Sequence, residues 1–212
     1  MKWFGGVLMG MIAATGLVSA QALFTQDFSA IEPGPMPDEF LVLDGQFSVT
    51  ENAGNRLVEL PGAPLESYGF LFGPNETSGV EAGARILATK TGRKFPTFGL
   101  GLNGASGYRL QVVPAKSAIE LLRGDFVVAS APFQWQSGTW TRLSLAVKKS
   151  GATGFQLEGS AWPASGEAPR QPMVTFSDPK PQPGGKASVW GMPFSGTPIQ
   201  FDDLTVTRLG GS

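Results

Sequence analysis

The stretch TPIQFDDLTV, Thr197 to Val206, decides how this chain is read. Apart from the adjacent carboxylates Asp202 and Asp203 it has the character of a β-strand, and neighbouring side chains on a strand point to opposite faces. One acid must therefore share the apolar face of Leu204 and Val206, and regular alternation selects Asp202. A carboxylate turned toward a core has to be ion-paired, bound to a cation or neutralised. The residues leave alternatives open. Asp203 could be the inward member, and either acid could cap a turn or pair with Arg56, Arg142 or Arg208.

Working outward, turn signals recur at short intervals, among them Asp44-Gly45, Gly73-Pro74-Asn75, Asn103-Gly104, Arg123-Gly124-Asp125 and Ser137-Gly138. Between them lie strand-length segments: Gln46 to Thr50, Arg56 to Leu60, Thr139 to Val147, and a meander of Tyr108 to Val113, Ala118 to Leu122 and Phe126 to Ser130. No helical period persists beyond two turns and no internal repeat is present. The pattern predicts an all-β, two-sheet antiparallel sandwich or a barrel. Pro163 to Pro183 reads as a surface connection around one short strand, Pro172 to Phe176.

Composition agrees: 29 Gly and 17 Pro in 212 residues suit many short strands and tight turns. A net charge of -1 without basic runs argues against nucleic acid as a partner. The chain has no His and no Cys, which removes Ser-His-Asp catalysis, thiol nucleophiles and His/Cys zinc sites.

Residues 1–22 read as a signal peptide: Lys2, an uncharged run from Trp3 to Val18, then Val18-Ser19-Ala20 or Ala20-Gln21-Ala22 as the cleavage site. Four glycines interrupt that run, which is too short for a membrane anchor. The expected product is one domain, 23–212, secreted or periplasmic, with no membrane span after cleavage; an exported fold without cysteine suits a bacterial source.

In order along the chain stand Phe-x-x-Asp-Phe (Phe24 to Phe28), Gly-x-Phe-x-Val (Gly45 to Val49) and WQSGTWTRL (Trp135 to Leu143). Ala161-Trp162, Glu167-Ala168-Pro169, Gly191 to Gly196 and the closing FDDLTV follow. Together they resemble the concanavalin A-like lectin/glucanase jelly roll, in its laminin-G-like and 3-keto-disaccharide-hydrolase-like branch. The resemblance implies first and last strands side by side, and a structural calcium (Ca2+) there, held by Asp27, Asp202 and backbone oxygen near Gly45. It also implies a glycan or polysaccharide partner. Laminarinase-type relatives carry their acids at alternate positions of one strand, whereas no two carboxylates here lie two or four positions apart. Catalysis would need acids from separate strands, with Glu59, Glu81, Glu120 and Glu158 as candidates, so the balance leans toward a non-catalytic, carbohydrate-binding or other extracellular ligand-binding domain. The further alternative is a structural or adhesive surface protein.

For ligand contact the sequence favours Trp135, as the most exposed ring, and a cleft of Tyr108, Arg109 and Asn103. Trp140 is expected in the core. Alternating Gly99 and Gly101 suggest close sheet–sheet contact or a surface where a ligand approaches the backbone, with packing the favoured reading.

Overall fold

The computed structural model describes residues 21–64, 66–193 and 196–210. The signal-peptide expectation falls almost wholly on residues 1–20, outside that range. Two antiparallel sheets face one another. The larger has nine strands: β14 (Val174–Asp178), β13 (Gly154–Pro163), β12 (Trp140–Ser150), β7 (Val80–Leu87), β16 (Ile199–Arg208), β5 (Asn55–Leu60), β4 (Ser48–Asn52) and β2 (Gly34–Pro35) in spatial order, with β1 (Gln21–Gln26) beside β16. The smaller has seven: β11 (Phe126–Pro132), β10 (Ala118–Arg123), β9 (Tyr108–Val113), β8 (Thr97–Leu102), β15 (Gly185–Met192), β6 (Tyr68–Glu76) and β3 (Leu41–Asp44). The meander read from the sequence is present as β9-β10-β11. First and last strands run side by side, Gln21 opposite Arg208 and Gln26 opposite Leu204.

The layers form because their strands alternate. In β7, Val80, Ala82, Ala84 and Ile86 are buried while Glu81, Gly83, Arg85 and Leu87 are half-exposed. Cross-strand register aligns such residues into rows: Phe70, Val189, Leu100, Leu110 and Leu121 cross the smaller sheet, all fully buried. The layers meet closely at Gly159, where a Cβ would lie 2.8 Å from Leu110 Cδ1. Burying each Leu or Phe stabilises the fold by about 1.5–3 kcal/mol. A cluster of Phe24, Phe28, Phe40, Phe47, Phe70, Phe72 and Phe201 joins the N-terminal segment to both sheets.

The regular alternation expected for FDDLTV fails at one residue. Asp202 pairs with Arg85 and Thr205 with Gly83, so Asp203 and Leu204 together oppose Ala84. Asp203 adopts φ 50°, and a bulge results. It lies where β5 stops pairing with β16, at Phe201, and β1 starts, at Leu204. The bulge turns Leu204 and Val206 inward but leaves Asp202 on the outer face with Arg85. The inward-facing Asp202 of the sequence reading is thus corrected, although its carboxylate is still only 1 % exposed.

Candidate functional site

The outer face of the larger sheet is a polar trough. Outward residues stand in three rows across β7, β12 and β13: Arg85, Arg142 and Trp162; Gly83, Ser144 and Ser160; Glu81, Ala146 and Glu158. Small side chains fill the middle row and large ones the flanks, which creates the depression. The connection Ala168 to Pro172 walls one end, enclosing a hollow of ≈ 260 Å³. A second hollow, ≈ 320 Å³, adjoins it along β12 and is lined by Thr25, Asp27, Arg142, Asp203 and Thr205. Gly83 keeps the middle row low: a Cβ would meet Thr205 Oγ1 at 2.6 Å, and that hydroxyl would have to turn away. Lys148 Nζ lies 2.6 Å from Glu158 and Arg142 Nη2 donates to Asp203 at 3.0 Å, so the walls carry both charge signs. Of the four acids considered for catalysis, Glu81 and Glu158 line the first hollow. Glu59 accepts from Gln200 Nε2, and Glu120 is buried on the opposite sheet beneath Lys116 and Gln111.

The tryptophans divide unexpectedly. Trp135 is half-buried against Phe98, with centroids 6.2 Å apart, and does not present an open ring. Trp140 is on the outer face rather than in the core, with the Arg85 guanidinium 4.5 Å above it. Trp190 is likewise covered, by Arg109 at 4.9 Å. Trp162 is half-buried at the edge of the trough, and among the described residues neither a ring nor a cation stacks on it. Sequence reasoning did not select it. The alternation of GFQLEGSAWP puts Trp162, Ser160 and Glu158 on one side, but only register with β12 shows that side to be a trough.

The proposed cleft of Tyr108, Arg109 and Asn103 divides between interior and surface. Tyr108 is 1 % exposed; its hydroxyl donates to Asp178 at 2.8 Å and accepts from Gln182 N–H at 3.1 Å. Asn103, at φ 65°, donates from Nδ2 to the carbonyls of Thr77 and Pro183, tying three loops together. Only Arg109 faces outward. Gly99 and Gly101 also face outward, and the crowding that excludes a Cβ there comes from the neighbouring strands, at Leu110 O and Gln111 for Gly99 and Ser188 and Tyr108 O for Gly101, rather than from the other layer.

Burial, chiefly, and the Asp178 hydrogen bond push Tyr108 up to about 12, opposed by the Gln182 N–H. Burial would also raise Asp178, but hydrogen bonds from Tyr108 and Arg123 outweigh it and hold that carboxyl below 3.8. Because the raised tyrosine favours the neutral native form, its contribution is complete below its ordinary value of 10.0 and disappears as pH rises to about 12. The depressed Asp178 contributes above 3.8 and loses that contribution as pH falls below it. Urea midpoints of Tyr108→Phe should accordingly fall less between pH 10 and 12 than those of the parent.

The calcium ligands implied by the resemblance do not fit together. Asp202 Oδ2 accepts from Asn55 Nδ2 at 2.8 Å and Arg85 Nη2 at 2.5 Å, while Oδ1 accepts the Asp203 N–H at 2.7 Å. Guanidinium thus supplies the positive charge. Asp27 is exposed and closes a turn onto Ser29, whose hydroxyl and then backbone N–H hold its carboxyl below 3.8. It shares its hollow with Asp203, not Asp202. Gly45, at φ 105°, lies against Phe47 and Tyr68. Among the described residues no three carboxylates converge.

No family model matches the sequence, and no curated protein does. Solved structures match the fold. A Bacillus subtilis protein of unknown function with a galectin-like fold superposes with TM-score 0.61 at 11 % identity, covering 89 % of this chain and 96 % of that one. Alginate lyase Aly36B, solved with alginate trisaccharide, gives TM-score 0.59 at 9 % identity, covering 90 % and 100 %. The exoplasmic/lumenal domain of VIP36 in its Ca2+/Man-bound form gives 0.57 at 10 %, covering 84 % and 93 %. The chain therefore has the galectin-like, concanavalin A-like jelly-roll fold.

Proposed function

We infer that the trough on the larger sheet binds carbohydrate without chemistry. The observation that carries this is Trp162, whose half-buried ring has no stacked ring or cation among the described residues and lines the hollow with the hydroxyls of Ser144 and Ser160 and the carboxylates of Glu81 and Glu158. A sugar offers an apolar C–H face to an aromatic ring and hydroxyls to such polar groups. Balanced wall charges suit a neutral glycan better than a polyanion. Matching lectin domains and lyases that handle oligosaccharides support the same ligand class. Export is part of this reading: the run Trp3 to Val18 serves as a signal, and cleavage after Ala20 preserves the Gln21–Arg208 pair of β1 and β16. Among the described residues no helix is long and apolar enough to cross a membrane.

Titration calorimetry against a panel of neutral oligosaccharides tests it. Trp162→Ala should weaken binding tenfold or more, about 1.4 kcal/mol, with an unchanged unfolding midpoint. Absence of binding across the panel, or equal binding by the variant, would sink the reading. One observation favours a second reading, hydrolysis by acids from separate strands. Glu81 and Glu158 flank Ala146 in one hollow, two strand spacings or about 9.5 Å apart at the backbone, near the spacing of about 6.5–9.5 Å used by inverting glycosidases. Turnover by the parent and its loss in Glu81→Gln would establish it. Lys148, which holds Glu158 in a fixed ion pair, favours the binding role.

A further inference from the structure

The opposite sheet carries an arginine that makes no ion pair among the described residues, the exposed Asp125 acting on it only at longer range. Four of the arginines withdrawn from solvent have carboxylate partners: Arg56 with Glu32, Arg85 with Asp202, Arg123 with Asp178 and Arg142 with Asp203. Arg109 is half-buried on the outer face of the smaller sheet, yet among the described residues it makes no ion pair or hydrogen bond, and its buried Nε lacks an acceptor. Its one specific contact is the Trp190 ring. That ring is fixed by Nε1–H donation to Ser188 Oγ at 2.8 Å and lies over Gly69, where a Cβ would be 2.7 Å from Cε3. Burial pulls the Arg109 pKa below its ordinary value, with the charge of Asp125 opposing the shift. A guanidinium stays charged nonetheless, and a desolvated charge without a partner is costly.

We propose that this place is a second ligand site, separate from the trough, which takes a carboxylate-bearing ligand. Ser106, Gly107, Arg109, Gly124, Asp125 and Trp190 line a hollow of ≈ 90 Å³, with room for one small group. Stacking on Trp190 occupies the guanidinium face and burial closes off Nε, which leaves the terminal Nη1 and Nη2 N–H groups for a bidentate carboxylate. Asp125 on the rim selects charge, because it repels a phosphate dianion more strongly than a monoanion. The carboxylate could come from an acidic sugar or a simple organic acid, which share this chemistry.

The test is NMR titration of the full chain, following the Arg109 Hε and Trp190 Hε1 resonances, with glucuronate, acetate, glucose and phosphate. Glucuronate, acetate or both should give saturable shifts that glucose does not, and comparing the two identifies the source. Arg109→Gln should weaken binding at least tenfold, and Arg109→Lys, which keeps the charge, should retain part of it. Asp125→Asn should tighten it several-fold, whereas Trp162→Ala should leave it unchanged, which separates this site from the trough. The proposal is overturned if no carboxylate shifts these resonances, if phosphate binds more tightly, if Arg109→Gln binds as the parent does, or if Asp125→Asn weakens binding.

Discussion

Replacing Phe70 with alanine is expected to destabilise the fold by about 4 kcal/mol, within the range of about 3–5 kcal/mol for emptying a buried phenylalanine site. Phe70 is fully buried and touches four rings: Phe40, Phe47, Phe72 and Phe201, at centroid distances of 5.6, 5.0, 6.4 and 6.2 Å. Those rings come from the N-terminal segment, β6 itself and β16, so the cavity would open where the chain ends meet both sheets. Rigid neighbours limit collapse: Gly191 already brings β15 within contact of Phe201, leaving little backbone free to close the gap. Urea unfolding should show a lower midpoint with an unchanged slope. Phe126→Ala supplies the contrast, since that ring is 79 % exposed and its loss should change stability by under about 0.5 kcal/mol. Equal effects of the two substitutions would remove the phenylalanine cluster as the main tie between the layers.

Much of this architecture was legible because it depends on local pattern. Alternation in QFSVT and TWTRLSLAV and the turn dipeptides give strands and meander without knowledge of register, and the resemblance carried by the ordered motifs supplies the paired termini. What failed depends on contacts across strands. Asp203 takes a left-handed backbone conformation that nothing in FDDLTV announces, and this one residue reverses the face of Asp202. Trp140 was placed in the core because long central strands bury aromatics; its actual cover is Arg85 from the neighbouring strand. Trp135 was taken as exposed from its polar neighbours, but the loop folds it onto Phe98. The trough is a property of three strands in register, with small residues aligned in the middle row. Arg109 belongs to the cleft read from the sequence, but that it makes no ion pair among the described residues is visible only once the other charges have been placed.

The two faces therefore present different chemistry on one scaffold. On the larger sheet most charges neutralise one another and one ring is left open. On the smaller sheet the ring is covered by an arginine that makes no ion pair among the described residues. Neutral sugar and carboxylate ligands should then bind independently, because their sites lie on opposite sheets with the packed core between them.

Asp202 explains why an acid interrupts the last strand, and its loss is the second large effect expected. Asp202→Asn should cost about 2–3 kcal/mol, less than the about 3–5 kcal/mol of a fully enclosed pair because Arg85 is 24 % exposed. The amide would remove the counter-charge from a guanidinium fixed between Trp140 and the sheet, leaving it only Asp203 at 3.3 Å. It would also set an N–H₂ against the donors of Asn55 and Arg85, or an N–H₂ against the Asp203 N–H. The double variant Arg85→Met/Asp202→Leu should recover most of the loss, since apolar groups of similar volume often replace a buried pair at little cost. Parent midpoints in excess chelator and in millimolar calcium should coincide. If chelator instead lowers the parent to the level of Asp202→Asn, and the variant no longer responds, the carboxylate is satisfied by a bound ion and the Arg85 pair is not what holds the bulge.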